Sequence, residues 1–300
     1  MKLVTSYTNP DLDGLACMYA YAEYLKREGS YVNYVCFGNP RKEAKFVIDK
    51  FSIEINKTEK LIEKPTEIVL VDASDISKAL SNEIDLDKVI EIFDHRKVHG
   101  ADKFPNAKAR IELVGACATL IAEQFYYQKI EISKESAILL YSAIVWNTIN
   151  FKNQVTTDRD ITMAKWLKEK AQFPKDYVSE MFASGSEKSF KELFFADFEI
   201  MGKKVGIAQL ETVGIKEFVK DNFNKIRKLL NDNKPNYDYI LLTCIDLERA
   251  FNLFVTIDKD SEKLFSRVLR VDFIDNIAQK EGIIMRKEII SLVKEYLEEM

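Results

Sequence analysis

Three short apolar runs in the first hundred residues each end on an acid, and no other feature of the chain limits its fold so tightly. Leu3-Val4 leads through a polar turn into Asn9-Pro10-Asp11-Leu12-Asp13-Gly14, Ile68-Val69-Leu70-Val71 stops at Asp72, and Val89-Ile90-Glu91-Ile92-Phe93 stops at Asp94-His95. Near-continuous apolar runs of this length fit buried parallel strands, and open α/β sheets bind ligands beyond the carboxyl ends of their strands. Three strands delivering carboxylates to one edge therefore predict a single acid-lined crevice. Carboxylates in a crevice repel one another, and desolvation deepens the penalty. Protonation, a basic partner or a divalent cation would relieve it, and the cation suits this pattern best.

Around these strands the pattern alternates. Helical spacing runs from Leu15 to Glu28 and closes at Gly29, a strand fits Tyr31 to Phe37, and a helix fits Arg41 to Phe51. His95 to Pro105 reads as a loop, followed by helices at Gly115 to Tyr127, Lys134 to Trp146, Asp158 to Ala171 and, more briefly, Pro174 to Ala183. This βαβ rhythm predicts an α/β domain over residues 1–184, a doubly wound, mainly parallel sheet with helices on both faces. Ser184-Gly185-Ser186-Glu187-Lys188-Ser189 is small and polar, which marks residues 185–189 as a linker. Residues 190–300 predict a smaller α+β domain with a mixed sheet. Its strands are expected at Lys204 to Leu210, Tyr239 to Ile245 and Leu253 to Ile257, and its helices at Ile215 to Leu230, Ser261 to Leu269 and Lys287 to Leu297. A cleft between two such domains is a favoured ligand site and the expected place of the active site.

Composition removes several classes of function. A net charge of -4 without any basic stripe argues against a nucleic-acid partner. Cys17, Cys36, Cys117 and Cys244 form no CxxC pair, so neither a thiolate zinc site nor a disulfide framework is expected. No apolar run approaches the roughly 20 residues of a membrane span, and no signal peptide is visible, so the expectation is a cytoplasmic, soluble chain. Neither GxGxxG after the first strand nor GxxxxGK[ST] occurs, which removes the common nucleotide-binding loops.

Asp11-x-Asp13 lies in a turn where two carboxylates can face one point, and oxygen ligands of this kind suit Mg2+ or Mn2+. His95 follows the strand-terminal Asp94, and an imidazole in the set shifts preference toward Mn2+. His99 reads as a loop residue. Simpler readings exist for each member alone: Asp11 can cap the helix that follows it, and Asp72 can cap a helix starting near Ser74. The argument for an ion comes from the three strand ends together.

The ordered motifs Asn9-Pro10-Asp11-x-Asp13, Val71-Asp72, Asp94-His95-Arg96 and Gly115-Ala116-Cys117-Ala118-Thr119 resemble the DHH phosphoesterase superfamily. Within it the chain is most similar to the family II, manganese-dependent inorganic pyrophosphatases and the related prune and exopolyphosphatase proteins. Ser142-Ala143-Ile144 before Asn147-Thr148, Gly202-Lys203-Lys204-Val205-Gly206 and Arg286-Lys287 extend the likeness over nearly the whole chain. The resemblance implies a two-metal site of Mn2+ or Mg2+ on Asp11, Asp13, Asp72 and His95, with Asp94 orienting His95. It implies catalytic roles for Asp72, Asp94 and Arg96, and phosphate binding by Arg96, Lys203, Arg286 and Lys287. Without the resemblance, the Lys203-Lys204 and Arg286-Lys287 pairs would read as solvated basic faces. A homodimer formed through an edge strand of the first domain is a further family-based expectation.

The departures from the family pattern are specific. Tyr7 stands where the pyrophosphatases have a His, Arg96 where they have the second His of Asp-His-His, Asn147 where an Asp is expected, and Met285 where a Ser precedes the Arg-Lys pair. The function expected is hydrolysis of pyrophosphate or short polyphosphate, a phosphate-containing small molecule being the partner. Next comes a catalytically impaired relative that binds a phosphorylated ligand or partner, which Tyr7, Arg96 and Asn147 favour. A phosphodiesterase for short oligonucleotides or cyclic dinucleotides ranks third.

Overall fold

The computed structural model describes residues 1–75, 82–96, 99–185 and 195–298, with 185 and 195–197 described by backbone alone. Two compact units divide the chain, Met1–Ser184 and Gly185–Met300. Residues 186–189 of the expected linker lie outside the described residues, as does most of the segment after Ser74.

The first unit runs β1 (Lys2–Thr5), α1 (Leu12–Arg27), β2 (Val32–Tyr34), β3 (Cys36–Phe37), α2 (Lys42–Phe51), β4 (Lys57–Thr58), β5 (Glu67–Val71), β6 (Val89–Asp94) and β7 (Lys108–Ile111). Helices α3 (Cys117–Gln128), α4 (Lys134–Asn147), α5 (Asp158–Lys170) and α6 (Tyr177–Gly185) follow. Its main sheet is parallel throughout, in the order β2-β1-β5-β6-β7. The chain leaves β1 for β2 on one side and returns to β5 on the other, so the order reverses between β1 and β5. A crevice opens at such a reversal, outside the carboxyl ends of the two strands.

Strand alternation sorts the core. Leu3, Ile68, Leu70 and Ile92 pack with Val35, Phe37, Ile84, Ala101 and Phe104 on one face. Residues of opposite parity, Val4, Val69, Val71 and Phe93, are equally buried and turn to the helical face, where Tyr21 of α1 meets Phe93 edge-on at 4.8 Å. The strand expected from Tyr31 to Phe37 is two pieces. β2 pairs with β1, whereas β3 pairs with β4 in a separate two-stranded sheet. The break falls at Val35, whose carbonyl accepts the Thr5 hydroxyl at 2.8 Å.

The second unit has β8 (Phe195–Ile200), β9 (Lys203–Thr212), α7 (Ile215–Asn233), β10 (Tyr239–Asp246), β11 (Phe251–Val255), α8 (Lys259–Leu269), β12 (Ile277–Glu281) and α9 (Arg286–Glu298). Its sheet, ordered β12-β11-β10-β9-β8, is mixed: only β9 and β10 pair in parallel. α7 covers one face through Ile215, Val219, Ile226 and Leu230. α8 and α9 cover the other through Leu264, Phe265, Ile289 and Val293. Among the described residues, no helix is long and apolar enough to cross a membrane.

Candidate metal centre

The acidic strand ends meet at the β1–β5 reversal. Asp13, in the first turn of α1, is fully buried. Its Oδ2 accepts the Cys117 backbone N–H at 2.8 Å, and its Oδ1 accepts that of Ala118 at 2.8 Å. The N-cap of α3 is Ala116, which has no side-chain oxygen to offer, so Asp13 caps α3 from a distance. Gly115, just before this cap, lets Thr148 and Asp160 pack close, since a Cβ there would lie 2.5 Å from Thr148 Cγ2 and 3.0 Å from Asp160 Oδ2. The N-terminal end of α3 in turn favours a negative charge at Asp13. Burial nonetheless pushes its pKa up; His95 and the two N–H groups oppose the shift, and Asp11 adds to it.

Asp72 follows β5 directly and has φ +53, in the left-handed region that Asp tolerates better than most side chains. That turn drives its carboxyl inward, where it is 2% exposed. Oδ1 has no hydrogen-bond partner among the described residues. Its pKa rises well above the carboxylate range through burial, then through Asp13 and Asp11, with Arg96 pulling the other way. An orphaned buried carboxylate oxygen is costly and marks a place where something charged belongs.

His95 completes a group of three. Its Nδ1 lies 3.0 Å from the Val114 carbonyl, an acceptor, so Nδ1 carries a proton and Nε2 is the nitrogen left to face the acids. Nε2 stands 3.6 Å from Asp72 Oδ1 and 3.7 Å from Asp13 Oδ2. Ligand atoms of Asp13, Asp72 and His95 all lie within 4.8 Å of one another. Two carboxylates and an imidazole nitrogen whose other nitrogen is locked onto a carbonyl make a donor set that fits a divalent ion.

Two further carboxylates stand outside this group. Asp11 caps α1: its Oδ1 accepts the N–H of Asp13 at 3.0 Å and of Gly14 at 3.1 Å, which is why α1 begins at Leu12, three residues before the expected start. Asp94 is fully buried and accepts backbone N–H groups of His95 at 2.7 Å and Arg96 at 3.3 Å, together with the Ser74 hydroxyl. The His95 ring is therefore held by Val114, while Asp94 fixes the backbone beneath it. His99 is exposed.

Three of the substituted positions, Tyr7, Arg96 and Asn147, gather here. Asn147, at the end of α4, donates its Nδ2 to Asp13 Oδ2 at 2.7 Å. Tyr7 accepts the Asp11 N–H at 3.2 Å, and burial first, then Asp11 and Asp72, hold its phenol protonated. Arg96 and Arg41 stand 5.9 and 5.7 Å from the centre of the Tyr7 ring. Arg96 Nη2 donates to the Asp72 carbonyl at 3.0 Å and lies 3.7 Å from Asp72 Oδ1. Cys17 lies beneath, its thiol 3.5 Å from Asp13 Oδ1, and burial pushes the neighbouring Cys117 thiol up to about 12.

In the second unit, Arg286 and Lys287 open α9. Cations in a first turn oppose the helix dipole, and an anion at that end would reverse the sign of the effect. The loop before them is fixed by Asn252, which exchanges two hydrogen bonds with the Ile284 backbone, and by Gln209, which accepts the Arg286 N–H at 2.6 Å. Lys203 differs: its Nζ lies 3.3 Å from Asp238 Oδ1. Sequence reasoning did not single out Val114, Arg41 or Ser74. A backbone carbonyl has no signature, and the other two are ordinary loop residues until the fold assembles them.

Comparison with known proteins gives the family. Residues 2–144 match the DHH family, N-terminal domain. A manganese-dependent inorganic pyrophosphatase of Methanocaldococcus jannaschii is 30% identical over 308 residues, covering 96% of each chain. A probable manganese-dependent inorganic pyrophosphatase of Clostridium acetobutylicum is 29% identical, over 95% of this chain and 94% of its own. The crystal structure of a putative family II inorganic pyrophosphatase from Methanococcus jannaschii superposes with a TM-score of 0.62 at 28% identity, over 98% of this chain and 99% of that one. The chain thus belongs to the DHH family and, within it, to the manganese-dependent, family II inorganic pyrophosphatases.

Proposed function

We propose that this protein is a divalent-metal-dependent phosphoanhydride hydrolase acting on pyrophosphate or short polyphosphate. The observation that carries the reading is Asp72 Oδ1, buried without a hydrogen-bond partner among the described residues and 3.6 Å from His95 Nε2, with Asp13 within ligand reach. Asp13, Asp72 and His95 would hold Mn2+ or Mg2+. A bound ion of this kind lowers the pKa of water toward neutrality and draws charge off phosphoryl oxygens. The chain's own residues do the rest. Val114 holds Nδ1 and so turns Nε2 toward the acids, two N–H groups of the α3 N-terminus bind the Asp13 carboxyl, and Asp94 anchors the backbone of His95 and Arg96.

Arg96, beside Asp72, is assigned to phosphate, as are Arg286 and Lys287 at the start of α9 and Lys203, which a phosphate would draw away from Asp238. Asp11 is retained as a helix cap that adds negative charge beside the ion. The names of the relatives support the substrate class, and four free, buried cysteines suit a cytoplasmic chain. A homodimer through an edge strand of the first unit belongs to the same reading.

Phosphate release from pyrophosphate, tripolyphosphate and a dinucleotide, each with Mg2+, Mn2+ and Co2+, tests it. Turnover of the inorganic substrates that disappears in Asp72→Asn is expected. One observation favours binding without turnover instead: Asn147 occupies a lone pair of Asp13 that an ion would use. Tight phosphate binding with no release under any metal would establish that alternative.

A further inference from the structure

The resemblance implies two ions, and the surroundings of Asp72 argue for a different arrangement. Arg96 is clamped. Its Nη2 donates to the Asp72 carbonyl at 3.0 Å, its Nε lies 3.7 Å from Asp94 Oδ1, and its own backbone N–H binds that same oxygen at 3.3 Å. The guanidinium therefore cannot swing away from the carboxylates without breaking contacts at both ends. Its side chain is still 43% exposed, so part of it faces solvent beside the three-ligand group.

The donors for a second ion on this side of Asp72 are poor. Asp11 has committed Oδ1 to the Asp13 and Gly14 N–H groups, and its Oδ2 lies 3.9 Å from Arg41. Tyr7 offers a neutral hydroxyl that already accepts the Asp11 N–H, and two guanidiniums, of Arg41 and Arg96, lie near its ring. Charge counts the same way. Asp11, Asp13, Asp72 and Asp94 bring four negative charges and Arg41 and Arg96 two positive ones. One divalent ion neutralises the cluster, and a second would leave it strongly positive.

We propose that the centre takes a single divalent ion on Asp13, Asp72 and His95, and that Arg96 serves as its fixed second cation, placed to bind a phosphate group beside that ion. This rests on the reading of the three residues as a metal site. Removing Arg96 then has opposite effects on two ligands: the ion loses a repelling neighbour, and the anion loses an attracting one.

Metal-stripped, full-length protein titrated with Mn2+ is expected to saturate at one ion per chain, with the electron paramagnetic resonance spectrum of an isolated Mn2+. Two ions per chain with a spin-coupled spectrum would overturn the proposal and leave the metal-site reading intact. No binding would remove both. In Arg96→Gln, Mn2+ binding is expected to tighten about tenfold while inorganic phosphate binding to the Mn2+-loaded protein weakens about tenfold. Loss of both affinities would make Arg96 a structural strut and refute the assignment. Arg96→Lys keeps the charge and is expected to return both affinities toward the wild type with one ion bound, so an unstable glutamine variant leaves the test in place.

Discussion

Asp13 has four hydrogen-bond donors around it: two backbone N–H groups of α3, the Cys17 thiol and the Asn147 amide. A carboxylate has about four lone-pair sites, so an ion has to compete for one of them. Asn147 is the partner easiest to convert. Asn147→Asp removes that donor and adds a ligand charge in the same place, and is expected to raise Mn2+ affinity by about 10- to 100-fold, the range seen for ligand-supporting groups. Isothermal titration measures it. The same substitution adds a carboxylate to a cluster whose Asp72 is already held above its usual range by burial and by Asp13, so the metal-free variant is expected to melt below the wild type.

At the scale of elements, helices are tied together by acids that belong to other segments. Asp13 of α1 caps α3, and Asp246 at the end of β10 accepts the Ile215 N–H at 3.0 Å, where Gly214 gives α7 no cap of its own. Glu23 of α1 does the same for α4. It accepts the Ser133 N–H at 2.9 Å and the hydroxyls of Ser133 and Ser136 at 2.5 and 2.6 Å, and it pairs with Arg27. Burial alone would raise its pKa, but the Ser133, Ser136 and Arg27 hydrogen bonds outweigh it and the net shift is downward. A depressed carboxyl pKa stabilises the fold above the unfolded-state value and loses that contribution as pH falls through the folded value. Glu23→Gln is accordingly expected to cost about 2 kcal/mol at neutral pH. The gap to wild type should close between about pH 5 and pH 3, as followed by denaturant titration across that range.

At the scale of the molecule, each unit has its own sheet and its own cores. The three candidate ligands all lie in the first unit. A ligand that binds only the native form stabilises it by RT ln(1 + [L]/Kd), about 2.7 kcal/mol at a hundredfold excess over Kd. Calorimetry of the metal-stripped protein is expected to resolve two transitions, of which Mn2+ raises one by several degrees and leaves the other where it was. Equal movement of both transitions would contradict a site confined to the first unit.

The central strands β1, β5 and β6 were legible because burial on both faces leaves an unbroken apolar run, and the acids that end them were legible with them. The four strands that escaped, β4, β7, β8 and β12, are all sheet edges. β7 carries Lys108 and Arg110 in four residues, since an edge that faces water needs no apolar pattern. The sequence by itself therefore determined the parallel sheet, the crevice at its carboxyl edge and the identity of the acids there. It could not divide those acids into ligands, caps and braces, because that depends on which donor reaches which oxygen. Only the tertiary structure decided that Asp13 reaches the start of α3 and the Asn147 amide, and that Asp72 Oδ1 comes to face His95 Nε2, since those groups approach from segments far away in the chain.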